Sequence, residues 1–98
     1  LEYPEEIPSI YENQIDLDIV RTFPYDEFYQ VDNGNNLKKV KRILVAYSRR
    51  NVSIGYCQGF NFIAARIYKF IQNEENSFWL FVQLIENILP FNYYYELT

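Results

Sequence analysis

Two short stretches contain side chains whose types and spacing suit chemistry. In Ile15-Asp16-Leu17-Asp18-Ile19-Val20-Arg21, Asp18 and Arg21 lie three residues apart and share a face if the segment is helical. A carboxylate there can hold a guanidinium in one orientation, and the planar fork of the guanidinium matches a phosphate better than a lysine does. Taken alone, such a pair is most often a surface ion pair worth less than ~1 kcal/mol. The second stretch is Gly55-Tyr56-Cys57-Gln58-Gly59-Phe60-Asn61. The Gln58 amide offers a donor and an acceptor together. Gly55 and Gly59 permit unusual backbone angles or the close approach of another segment. Tyr56 reads as a brace for this loop and Cys57 as a small buried residue. Without its flanks Gln58 is an ordinary helix-start residue.

Composition removes other chemistries. The 98-residue chain has no His and a single Cys. No Ser-His or Cys-His nucleophile can therefore form within it, nor a standard zinc ligand set, nor an intrachain disulfide, which fits reducing, intracellular surroundings. The net charge of −4 disfavours nucleic acid, which is bound through Lys and Arg on phosphates. The basic residues nevertheless cluster: Lys38, Lys39, Lys41, Arg42, Arg49 and Arg50. They read as the solvated side of one helix, or else as a face for an acidic protein or a phosphate. No apolar run approaches the ~20 residues that cross a bilayer, and Leu1 to Pro8 lacks a signal pattern. The 10 Tyr and 8 Phe exceed what so short a chain can hide in its own core, so some are expected to face a partner or further parts of the same domain. Both ends read as cuts through a longer protein.

The elements that must position these residues are helical. Residues 1–9, with two prolines, form an extended lead-in. A weak helical tendency runs from Ile10 to Arg21 and stops near Phe23, because Pro24 disfavours helix at the residue before it. Tyr25 to Asn36 is loop-like, rich in Asn and Asp. Asn36 is the expected N-cap of an amphipathic helix through Leu37, Val40, Ile43, Leu44 and Tyr47, fraying near Arg49 to Asn51. A polar connection from Asn51 to Gly59 leads to a helix over Phe60 to Ile71. Asn73 is the expected cap of a last helix, with Glu74 and Glu75 in its first turn. That helix continues to Pro90 and is expected to be the most buried. The Tyr93-Tyr94-Tyr95 cluster reads as core or as contact with further helices. With β alternation rare, the fold class is all-α, and the absence of an internal repeat disfavours a solenoid.

The two stretches, in this order, resemble the first two signature motifs of the TBC domain family, IxxDxxR and YxQGM. The flanks extend the likeness: Thr22-Phe23-Pro24 after the arginine, the helix between the motifs, and Glu74-Glu75-Asn76-Ser77-Phe78-Trp79 as an acidic-then-Phe-Trp helix start. Phe60 stands where the family usually has Met; it is larger but still apolar, so the helix is expected to survive. The resemblance implies a helical array that accelerates GTP hydrolysis on a Rab-type small GTPase in its GTP-bound state. Arg21 maps onto the family's arginine finger, Gln58 onto its glutamine finger, and Asp18 onto the residue that supports the arginine. GTP and Mg²⁺ would be held by the GTPase, and this chain would bring no cofactor of its own. The resemblance further implies that the domain continues past Thr98, so that residues 1–98 form its N-terminal, catalytic half, acting in the cytoplasm with transient recruitment to membranes. A non-catalytic scaffold of the same fold, or a truncated domain without activity, are the alternatives.

Overall fold

Ile15 and Ile19, four residues apart, are both buried and define the inner face of the first helix, α1 (Glu12–Ile19). The computed structural model describes residues 10–30 and 33–88. The expected lead-in over residues 1–9, the stop at Pro90 and the tyrosine cluster lie outside these. Every element within them is a helix: α1, α2 (Glu27–Gln30), α3 (Asn35–Arg50), α4 (Phe60–Ile71) and α5 (Glu74–Gln83), which runs on into a π-helical turn, Leu84–Ile88.

α1 is shorter than its sequence pattern predicts. It ends before Arg21, because the backbone tightens there: Arg21 N–H donates to the Asp18 carbonyl at 3.1 Å and Thr22 N–H to the Ile19 carbonyl at 3.1 Å. These i→i+3 bonds close a helix end. Phe23, before Pro24, then takes a left-handed φ of 46°, which turns the chain away.

The Asn-rich segment expected to be a loop contains α2. Asp26 starts it by accepting from the Phe28 N–H at 2.9 Å, as capping residues do. Its turn is held from outside. Tyr29 is buried and its hydroxyl donates to the Ala65 carbonyl on α4, while Phe28 packs edge-on against Tyr29 with ring centroids 4.9 Å apart.

α3 begins at Gly34, whose φ of 79° forms the cap. Asn36 is not the cap as expected; it lies inside the first turn and its amide donates to the Phe28 carbonyl at 3.0 Å, tying α3 to α2. The far end stops where expected, at Arg50 with Asn51 as its cap. Two arginines in the last turn suit the negative end of the helix dipole, and Arg50 lies 3.6 Å from Glu86 and over the Trp79 ring.

α5 starts as expected, with the Asn73 side chain accepting from the Asn76 N–H at 2.9 Å. It is not, however, the most buried helix. Trp79 and Leu80 face outward. The helix with the most packing partners is α3, which α1, α2, α4 and α5 surround together. α3 contributes Val40, Ile43, Leu44 and Tyr47 to the core. At the centre Tyr47, Phe60 and Phe81 meet edge to face, with centroids 5.3 to 6.3 Å apart, an arrangement that aromatic quadrupoles favour. Phe60, the residue in place of Met, is wholly buried here and opens α4.

The basic face of α3 is engaged by neighbouring helices. Lys41 Nζ reaches Asp16 at 2.8 Å and Glu12 at 3.4 Å on α1, and Arg42 makes two bonds, 2.7 and 2.6 Å, to Glu74 of α5. Lys39 sits over the Tyr68 ring of α4. Among the described residues no helix is long and apolar enough to cross a membrane.

Candidate functional site

The end of α1 and the loop before α4 meet at Asp18. Its side chain is 3% exposed, against 65% for that of Arg21. One carboxylate oxygen, Oδ1, accepts from Arg21 Nη2 at 2.8 Å and from Gln14 Nε2 at 3.1 Å. The other, Oδ2, accepts from the Tyr56 hydroxyl at 2.5 Å. A buried carboxylate is costly unless its lone pairs are satisfied, and here three donors satisfy it. Arg21 therefore projects into solvent from an anchored base.

Tyr56 is a donor in this arrangement and stays one. Burial pushes its hydroxyl pKa well above the ordinary range, and the bond to Asp18 and that residue's charge push it further. It bridges the Gln58 loop to α1, as a brace would. Cys57 beside it is buried, and burial raises its thiol pKa. This disfavours the reactive thiolate and leaves a packing residue.

Gln58 is exposed, and its side chain makes no hydrogen bond among the described residues. The backbone on either side of it is constrained instead. Gly55 is buried with φ at 63°, and a Cβ there would overlap the ring of Tyr11; only glycine lets the ring lie against the chain. Gly59 has φ at 106° and caps α4. At the loop's start, the Asn51 carbonyl accepts from the Gly55 N–H at 2.6 Å and its side-chain oxygen from the Ile54 N–H at 3.3 Å. Asn51 is itself held by Glu86, which accepts from its amide at 3.1 Å and from the Tyr47 hydroxyl at 3.0 Å. Burial would raise the Glu86 carboxyl pKa, but these two bonds and the nearby Arg50 charge outweigh it and hold it below the usual value.

Thus Asp18, Arg21, Tyr56 and both glycines gather around one seam, with Gln58 on the loop that borders it. The sequence reading gave no role to Thr22 or Asn61, which are buried in the same seam. Thr22 Oγ1 donates to the Asp18 carbonyl at 2.7 Å and accepts from Asn61 Nδ2 at 2.8 Å. A signal for Asn61 exists in the sequence: it occupies the buried stripe of α4 with Ala64, Ala65 and Tyr68, where a polar residue must have a buried partner.

Comparison with known proteins adds the following. The profile of the Rab-GTPase-TBC domain matches residues 2–97. A TBC domain-containing protein of Schizosaccharomyces pombe is 43% identical over 90 residues, which is 92% of this chain and 12% of that protein. TBC1 domain family member 2A of Mus musculus is 42% identical over 81 residues, 83% of this chain and 9% of its own length. TBC1 domain family member 2B of Homo sapiens is 37% identical over 81 residues, 83% of this chain and 8% of its own length. The chain thus spans about a tenth of the curated relatives it matches. No solved structure gives a significant match.

Proposed function

We propose, because this chain belongs to the Rab-GTPase-TBC domain family, that it is the catalytic half of a domain that activates GTP hydrolysis by a GTP-bound Rab-family GTPase. Arg21 and Gln58 act in trans on nucleotide and Mg²⁺ held by the GTPase. The chemistry asks for what these two side chains can supply. Phosphoryl transfer to water depends on positioning and charge stabilisation more than on covalent work by the protein. A guanidinium brought from outside offsets the charge that builds on the phosphate oxygens. The amide of Gln58, donor and acceptor at once, orients the attacking water against the γ-phosphate.

The observation that carries this reading is the seam itself. A buried carboxylate, Asp18, grips an exposed arginine with one oxygen and the glutamine-bearing loop with the other. An ordinary surface ion pair has neither the burial nor the second partner. Asp18 positions Arg21, and Tyr56, Gly55 and Gly59 position the Gln58 loop. Where the partner lies on a membrane, the protein is recruited there peripherally from the cytoplasm in the course of vesicle traffic.

The test is single-turnover GTP hydrolysis by a panel of Rab proteins in the presence of the full-length protein. Arginine fingers contribute about 10³–10⁵ in rate on comparable GTPases, so Arg21→Ala is expected to remove most of the stimulation, and Gln58→Ala likewise. Stimulation left intact in both variants refutes the dual-finger reading. Binding of GTP-loaded Rab without any stimulation by the wild-type protein points to a scaffold instead.

A further inference from the structure

Asn61 is joined to the segments of both fingers, and its side chain is spent wholly on them. It is 2% exposed, in the first turn of α4. Its Oδ1 accepts from the Gly59 N–H at 3.2 Å. That N–H belongs to the peptide linking Gln58 to Gly59, so the bond fixes the plane through which the chain leaves Gln58. Its Nδ2 donates at 2.8 Å to Thr22 Oγ1, on the residue directly after Arg21, and lies 3.5 Å from the Asp18 carbonyl. The Tyr56 hydroxyl is 3.3 Å from Oδ1, but its one hydrogen goes to Asp18 over the shorter contact.

The amide orientation follows from its partners. The Thr22 hydroxyl gives its hydrogen to the Asp18 carbonyl, so towards Asn61 it can only accept. The Gly59 N–H can only donate. An amide meets both demands through two separate atoms, whereas a carboxylate has no donor, an ammonium no acceptor and an aliphatic side chain neither.

We propose that Asn61 is a positioning residue for the activating reaction, a clamp that fixes the spacing of the backbones bearing Arg21 and Gln58. The inference rests on the reading of these two residues as fingers. The Asp18 carboxylate orients the arginine side chain; Asn61 acts one level below, on where the two main chains stand. Two groups that must meet one phosphate from different segments depend on that spacing, and a misplacement of about 1 Å can cost ~10²-fold in rate.

The test uses the full-length protein and whichever GTP-loaded Rab it stimulates. Asn61→Ala is expected to lower kcat by about 10²-fold with KM nearly unchanged, and to add little further loss in an Arg21→Ala, Gln58→Ala background, because residues that act as a unit are not additive. Thr22→Val, which removes the hydroxyl that the amide holds, should lower kcat in the same way, and Thr22→Ser should restore most of it. Hydrogen exchange gives a readout free of any GTPase: the Gly59 amide should exchange faster in Asn61→Ala. A loss that appears in KM, or that persists at full size in the double-finger background, overturns the proposal. Unchanged protection of the Gly59 amide overturns the clamp whatever the hydrolysis assay gives. If Asn61→Ala does not fold, equal kcat in the Thr22→Val and Thr22→Ser proteins overturns it. Wild-type protein that stimulates no Rab, with Gly59 protection still lost in Asn61→Ala, refutes the finger reading and with it the catalytic part of this one, while leaving the clamp as a structural fact.

Discussion

Arg21 and Gln58 both stand exposed on the surface, yet they are held by opposite means. Arg21 is held by its side chain: a buried carboxylate takes one end of the guanidinium, while the main chain has already left the helix. Gln58 is held by its main chain: glycines at φ 63° and 106°, a capping peptide and the Tyr11 ring shape the loop, and the amide makes no hydrogen bond among the described residues. The difference follows from the side chains. An arginine has a long stem and about 2 kcal/mol of rotamer entropy, so placing its backbone does not place its charge. A glutamine keeps comparable rotamer freedom, but its stem is shorter, so the loop confines its amide to a smaller volume.

Breaking the side-chain grip should have the largest effect. Asp18→Ala frees the guanidinium and leaves the buried Tyr56 hydroxyl without its acceptor. Stimulated hydrolysis should fall by about 10²-fold, and chemical denaturation should report a loss of about 1–3 kcal/mol. An unchanged rate would mean that Arg21 does not depend on the carboxylate.

The main-chain grip should be broken next most severely by Gly55→Ala. The new Cβ meets Tyr11 and the backbone keeps a left-handed angle, so about 1–3 kcal/mol of stability should be lost. Adding Tyr11→Ala should recover the steric part and leave the cost of the backbone angle. No recovery would mean that the ring is not what requires glycine.

A smaller and pH-dependent effect is expected at the base of the loop. The folded Glu86 carboxyl is held below its ordinary value of 4.5. The unfolded chain therefore takes up this proton first as pH falls. The contribution of Glu86 to stability is complete above about pH 4.5 and is lost as pH drops through the folded value. Melting temperature measured against pH should show a shallower acid limb for Glu86→Gln than for wild type.

The smallest effect is expected at Arg42→Ala, remote from both grips. Its pair with Glu74 is short but half-exposed, so at most about 1 kcal/mol should be lost. Hydrolysis should be unchanged.

Most helices were legible in the sequence because their signals are local. Gly59 before an apolar stripe, and Asn73 before two glutamates, mark helix starts that the structure keeps. α2 was not legible, since its stability comes from Tyr29 reaching Ala65 on another helix, and no periodicity shows in four residues. The cap of α3 was misplaced by two residues because Asn36 found a better partner in the Phe28 carbonyl. At the site, the resemblance of the two stretches to the family's signature motifs pointed to Asp18, Arg21 and Gln58; residue type and spacing alone left an ordinary ion pair and an ordinary helix-start residue. The bonds that join the two stretches, Tyr56 to Asp18 and Asn61 to Thr22, cross some forty residues of chain; no local pattern encodes them.

The basic face of α3 bears on how a partner would arrive. Its Lys41 and Arg42 are answered by Glu12, Asp16 and Glu74, so at distances beyond a Debye length of about 8 Å these opposite charges nearly cancel. These two residues therefore add little to any field that would draw an anionic surface inward. Removing the pair whole, as in Arg42→Ala with Glu74→Ala, should then change the association rate with a partner and its salt dependence only slightly.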